Sequence, residues 1–279
     1  MSALQQLAVV VVGLAGLFGL LIGSFLNVVV YRVPAGLSVV RPASSCPQCG
    51  HEIRGFDNVP VLSWLVLRGA CRDCGSRISA RYPLVEAATA ALFSVVAGMV
   101  LARAAGSGTT LVPTIGMLVV LLYLMAITVA LALIDVDTHR LPDKIVLPAY
   151  AVLAVLLTAT SAASGDWWAL VRAGIGMLVL LAVYFALAVA VPGGMGMGDV
   201  KLAGVLGLVL AYLGWGPLAV GAFGGFALGA IFAIGLLAAR RAKRGSGIPF
   251  GPWMLAGAWL GIVCGGPLWD AYTGLIGLT

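Results

Sequence analysis

Apolar runs of roughly helix-spanning length recur from one end of this chain to the other, and no other feature constrains its fold as much. A helix needs about 20 apolar residues to cross a bilayer. Eight stretches reach or approach that length: residues 7–30, 84–102, 112–134, 145–163, 169–191, 200–214, 217–239 and 250–268. The sixth is short and broken by glycine, so it is expected to tilt or to pack inside a bundle. The chain is 62% hydrophobic and 9% charged, whereas a soluble domain carries about 25% charged residues. The expected fold is therefore an all-α polytopic membrane protein with about eight transmembrane helices. The first run lacks a basic leader and exceeds the roughly 7–15 residues of a signal-peptide core, so it reads as a retained span. Glycines within spans, as in GAFGGFALGA at 221–230, read as sites of close helix packing.

The net charge of +6 belongs to topology. With the N-terminus outside, all of the 16 Lys and Arg residues except Arg103 and Arg172 fall in inside loops, as the positive-inside rule requires. Omitting the sixth span would put RRAKR (240–244) outside, which argues for keeping it. No basic stripe is interleaved with aromatics, so nucleic acid is not an expected partner; the lipid bilayer is.

Only residues 31–83 have the composition of a soluble segment. They divide the chain into a first transmembrane helix (1–30), an inserted small domain (31–83) and a membrane core (84–279). The insert holds CPQC at 46–49 and CRDC at 71–74, with 21 residues between the pairs. That spacing matches a structural zinc ribbon, in which Cys46, Cys49, Cys71 and Cys74 would close a tetrahedron and leave no open position. About 50 residues cannot bury a large core, and a metal supplies the missing stability. Disulfides or a redox pair are the alternatives, and a cytoplasmic location argues against stable disulfides. His51 is expected on the surface, and Cys264, in the last span, as a small packing residue.

Acids in a bilayer are costly, and they are functional more often than other residues there. Glu86 suits the start of a helix. Asp143, after Pro142, suits the first turn of another. Asp135 closes the third span, and Asp137 falls on nearly the opposite face of the same helix. Asp199 lies behind four glycines in GGMGMGDVKL (193–202). Asp135 and Asp199 come from different spans but sit at the same expected cytoplasmic depth. Two carboxyls a few ångströms apart share a proton, so that one activates water and the other donates to the leaving group. Gly196 and Gly198 would let backbone approach a substrate or adopt positive φ. Each aspartate could instead be an ordinary juxtamembrane charge beside Lys144 or Lys201. A transporter that binds protons or cations on the same pair remains open as well. GGMGMGD is not a dinucleotide fingerprint, because it neither follows a strand nor opens a βαβ unit.

Four ordered motifs resemble the prepilin leader peptidases of type IV pilus and type II secretion systems. They are GSFLNVVVYRVP (23–34), the cysteine-bearing segment 45–86, LIDVDTHRLPD (133–143) and GMGMGDVKL (194–202). The last resembles the GxGD class of membrane aspartyl proteases. The resemblance implies that Asp135 and Asp199 are the catalytic pair and that the four cysteines bind zinc. It implies cleavage of the leader of prepilins or pseudopilins after a glycine, at the cytoplasmic face of a bacterial inner membrane. It further implies N-methylation of the new N-terminus with S-adenosylmethionine, tied to the N-terminal half. A GxGD protease of broader specificity is the rival enzyme reading.

Overall fold

A computed structural model describes residues 3–191, 194–240 and 249–277. Among these residues every regular element longer than one bridge is helical. The elements are α1 (Ala3–Arg32), a 3-10 turn (Gly55–Asn58), α2 (Leu62–Val66), α3 (Arg81–Ser107), α4 (Leu111–Thr138), α5 (Asp143–Ser164), α6 (Trp167–Ala190), α7 (Met197–Leu213), α8 (Trp215–Ala238) and α9 (Gly251–Leu275). Eight long helices thus stand where eight spans are read. Residues 241–244 of the basic RRAKR run lie outside the described residues.

Among the described residues six helices are long and apolar enough to cross a membrane: α1 from Gln6, α3, α4, α5, α6 and α8. The chain is a multi-pass membrane protein. The 17 residues of α7 span about 25 Å at 1.5 Å per residue, short of the roughly 30 Å hydrocarbon core. Twelve of them are buried, so this helix faces protein on nearly every side. The glycine-broken sixth run is an inner helix.

The chain forms two compact units, residues 1–130 and 131–279, with the division inside α4. In the first unit α1 and α3 pack closely along glycines. A Cβ at Gly19 would fall 2.8 Å from the Ala90 Cα, and one at Gly23 would fall 2.7 Å from the Glu86 Cα. Side chains there would force the helices apart, so glycine fixes the separation. The Asn27 amide nitrogen donates to the Tyr82 carbonyl (3.2 Å) and sets the register.

In the second unit α6 packs on α7 through Gly176 against Ala211 and through Gly207 against the Gly176 backbone. Helices α8 and α9 meet through Gly225 with Gly257 and through Gly261 with Pro217. The GAFGGFALGA glycines thus act as spacers. Arg172 of α6 caps the end of α7, donating from Nε to the Ala211 carbonyl (2.5 Å) and from Nη2 to the Tyr212 carbonyl (2.6 Å). The Ala211 carbonyl also accepts from the Gly214 amide (3.2 Å), so Arg172 adds to the closing turn of the helix. Asp166 accepts from the Ala169 amide (3.0 Å) and caps α6.

Candidate functional site

Asp135 lies in the last turn of α4 and is only 5% exposed, while Asp137 points outward. Helix α4 ends three residues later, where His139 takes a left-handed φ of 54° and its amide bonds the Asp135 carbonyl (2.8 Å). The chain then runs through Leu141 and the extended Pro142 into α5. The backbone N–H of Gly251, the first residue of α9, donates to Asp135 Oδ2 at 3.0 Å. Asp135 therefore sits against a helix N-terminus, where free amides and the helix dipole favour a carboxylate.

Asp199 has the same kind of support. It lies in the first turn of α7, and its Oδ2 accepts from the Gly196 amide at 3.1 Å. Leu141 joins the two sites. A Cβ at Gly198 would fall 2.9 Å from Leu141 Cβ, and one at Gly251 would fall 3.2 Å from Leu141 Cδ2 and 2.7 Å from Asp135 Oδ2. The loop after Asp135, the GxGD turn and the start of α9 thus converge on one place. Gly251, whose amide holds Asp135, and Gly198, next to Asp199, both abut Leu141.

Of the two roles expected of these glycines, close approach to a substrate or positive φ, the second does not hold. Gly196 is extended at φ −79°, and neither it nor Gly198 is among the positive-φ residues. Their requirement is space. A methyl at Gly196 would sit 3.3 Å from the Asp199 carboxylate, and one at Gly198 would press on Leu141.

Asp143 occupies the first turn of α5 as expected. Its main contact is an ion pair in which Lys201 Nζ meets both carboxylate oxygens at 2.8 Å. Lys201 is two residues beyond Asp199, so the pair ties the α4–α5 loop to the start of α7. The Tyr150 hydroxyl donates to the Lys201 carbonyl (2.6 Å) from the same side. Tyr184, buried in α6, stacks with Phe226 (5.2 Å between centroids) and Phe250 (6.5 Å) and lies within electrostatic reach of Asp199.

Sequence reasoning missed Gly251, Leu141 and the Asp143–Lys201 pair. The proline pair around Phe250-Gly251 was the available signal for the first, since proline at the start of a helix fixes where its free amides point.

In the first unit the four cysteines form two matching knuckles. The amides of Cys46 and Cys71 bond the carbonyls of His51 (2.9 Å) and Ser76 (2.8 Å), and the Gly50 and Gly75 amides return to the Cys46 and Cys71 carbonyls (both 2.9 Å). Gly50 and Gly75 have φ of 73° and 69°, a left-handed turn that glycine adopts without strain. Single antiparallel bridges, Ser45 with Glu52 and Ala70 with Arg77, flank the knuckles.

All four sulfurs lie within 4.8 Å of one another, and Cys46 Sγ is 3.8 Å from Cys74 Sγ. Tetrahedral coordination at about 2.3 Å puts sulfurs about 3.8 Å apart, so the cluster can hold a metal ion. Ser76 Oγ lies 3.1 Å from Cys74 Sγ and 3.5 Å from Cys46 Sγ. With the Cys49 and Gln48 amides it lowers the Cys46 thiol to about 6, toward the thiolate that binds metal. His51 is exposed and stands outside the cluster. Cys264 is half-buried in α9.

Comparison with known proteins identifies the family. The Bacterial Peptidase A24 N-terminal domain matches residues 17–100, and the Type IV leader peptidase family matches residues 122–234. Three similar proteins are each named prepilin leader peptidase/N-methyltransferase. The one from Aeromonas salmonicida is 39% identical over 89% of this chain and 89% of its own length. The one from Pseudomonas putida is 39% identical over 95% of this chain and 94% of its own. The one from Pseudomonas aeruginosa is 36% identical over 92% and 91%. No solved structure matches. The matched residues extend over both units: the chain belongs to the type IV leader peptidase family.

Proposed function

We propose that the protein is a membrane aspartyl endopeptidase that removes the leader of type IV prepilins or type II pseudopilins at the cytoplasmic face of a bacterial inner membrane, after a glycine. The observation that carries this reading is that Leu141 packs both against Gly251, whose amide holds Asp135, and against Gly198, the residue before Asp199. One carboxylate takes a proton from water as it attacks the scissile carbonyl. The other, protonated, donates its proton to the carbonyl oxygen to give a tetrahedral diol; the first then passes the proton it took from water to the leaving amine as the C–N bond breaks, and the second recovers its proton from a diol hydroxyl as the carbonyl re-forms. The backbone amides of Gly251 and Gly196 hold the two carboxyls in place throughout. The extended backbone around Gly196 offers a small-residue surface for an extended substrate segment. The core carrying this chemistry lies after residue 84, and the insert at 31–83 is a separate zinc domain.

Zinc is the metal proposed for Cys46, Cys49, Cys71 and Cys74, because four thiolates in tetrahedral array suit it and leave no open position. Its role there is structural. N-methylation of the new N-terminus is proposed because the relatives' names include N-methyltransferase, with S-adenosylmethionine as the donor that the family resemblance implies. The peptide cleavage does not depend on a methyl donor.

The test is incubation of the purified protein with a prepilin and with an unrelated single-span peptide, followed by product masses. Asp135→Asn and Asp199→Asn should each abolish leader removal without loss of fold. Normal processing by either variant, or transport across proteoliposomes without any cleavage, would overturn the assignment. Equal cutting of both peptides would favour the broader protease.

A further inference from the structure

The segment joining the two cysteine knuckles exposes far more apolar surface than a polar insert should. Phe56, Leu62, Leu65 and Val66 are 64%, 61%, 57% and 75% exposed, and Val59 is exposed beside them. Leu62, Leu65 and Val66 are at i, i+3 and i+4 of α2 and share one face. Trp64 points the other way, donating from Nε1 to the Ile78 carbonyl (3.1 Å) and packing on Gly69. The helix is therefore fixed to its own domain on one side and bare on the other. The cleft among these residues, about 210 Å³, is walled by Phe56, Val59, Leu62 and Val66. Its ionic groups, Asp57 and Arg72, neutralise each other at 2.6 Å.

The depth of the segment decides what covers it. The Val61 amide, one residue before α2, donates to Glu86 Oε2 at 2.7 Å. Glu86 is buried in the second turn of the spanning helix α3, five residues after its first residue, Arg81. At 1.5 Å per residue that is about 7.5 Å below the helix start. The Glu86 Cα also abuts Gly23, nine residues and about 13 Å inside the end of α1 at Arg32. A segment bonded at that level lies beside the headgroup–acyl boundary, where interfacial helices bury their apolar faces about 5–10 Å deep. The charge agrees: residues 31–83 hold seven arginines against Glu52, Asp57 and Asp73, which suits an anionic lipid surface.

We propose that Phe56–Val66 is an interfacial anchor, seated in the leaflet on the side of the cysteine domain. The Arg72–Asp57 pair, with the Arg72 guanidinium 5.4 Å over the Phe56 ring, and the Arg54–Asp73 pair (3.0 Å) clamp the segment to the second knuckle. Lipid contact thereby fixes the orientation of the metal cluster against the membrane.

The test uses the full chain in vesicles of phosphatidylethanolamine and phosphatidylglycerol. A nitroxide is attached through a ketone-bearing residue placed at Leu65 or Val66, so the cysteines stay untouched and metal content reports the fold. Reference labels sit at Leu17, exposed on α1, and Val40, exposed in the loop after it. The anchor labels should be reached by oxygen and shielded from a water-soluble nickel chelate, as at Leu17, at about 5–10 Å depth. Chelate access equal to that at Val40 overturns the proposal. Shielding from both quenchers also overturns it, because protein rather than lipid then covers the face.

Discussion

Replacing Gly251 by alanine sets two effects of opposite sign against each other. Alanine is the better helix former by about 0.8–1 kcal/mol, so at an open position in α9 it should stabilise. Gly251 is not open. Its added Cβ would lie 2.7 Å from Asp135 Oδ2, 3.3 Å from the Asp135 Cγ and 3.2 Å from Leu141 Cδ2. Restoring an ordinary contact of about 3.4 Å moves the carboxyl by about 0.7 Å or tears it from the Gly251 amide. Overpacking of this kind costs about 1–3 kcal/mol, which roughly cancels the gain in propensity. Catalysis has no such compensation, since a displacement near 1 Å at a reacting group costs up to about 10²-fold. The expectation is a kcat for leader removal lowered about 10- to 100-fold with Tm nearly unchanged. The assay is prepilin processing in micelles, followed by mass, alongside thermal unfolding. Gly266→Ala is the control, because nothing lies within 4 Å of its added Cβ on the same helix. Wild-type kcat in Gly251→Ala, or an equal loss in Gly266→Ala, would refute the placement of Asp135 against the start of α9.

Three further outcomes are expected. Gly198→Ala, whose methyl meets Leu141 Cβ at 2.9 Å, should lower kcat about 10-fold by parting the GxGD turn from the loop after Asp135; unchanged kinetics would count against that packing. Cys71→Ser should abolish the metal content of about one ion per chain and make residues 31–83 sensitive to protease, read by limited digestion and metal analysis. The Arg72 guanidinium holds the Asp57 carboxyl below its ordinary value. A depressed carboxyl stabilises above its unfolded value, near 3.9, and loses that contribution as pH falls through the folded value. The Tm advantage of the wild type over Asp57→Asn should therefore be present at neutral pH and shrink below about pH 4. An advantage that grows on acidification would show that the pair is not formed.

Hydropathy made the membrane helices legible because bilayer thickness imposes a length that soluble folds lack. Even the weak sixth run carried the correct message: a glycine-broken helix of 17 residues is too short to face lipid alone, and it is buried. The 3.6-residue period likewise separated Asp135 from Asp137. The failures share a cause. Gly196 and Gly198 were read for substrate approach or for positive φ; their φ is not positive, and the neighbours that crowd them, Asp199 and Leu141, were not foreseen. Gly251 lies 116 residues from Asp135, and no periodicity reports a contact at that separation. Five-residue α2 is too short for its exposed face to stand out from a polar insert, and its depth is visible only through the Val61–Glu86 bond. Sequence therefore named the groups that carry charge and sulfur, whose chemistry is intrinsic. It could not name the residues that hold those groups in place, because holding is a relation between distant parts of the chain. In this protein the holding is done largely by backbone amides at the starts of α7 and α9. Amides are present at every residue except proline, so only the fold shows which of them meet a carboxylate.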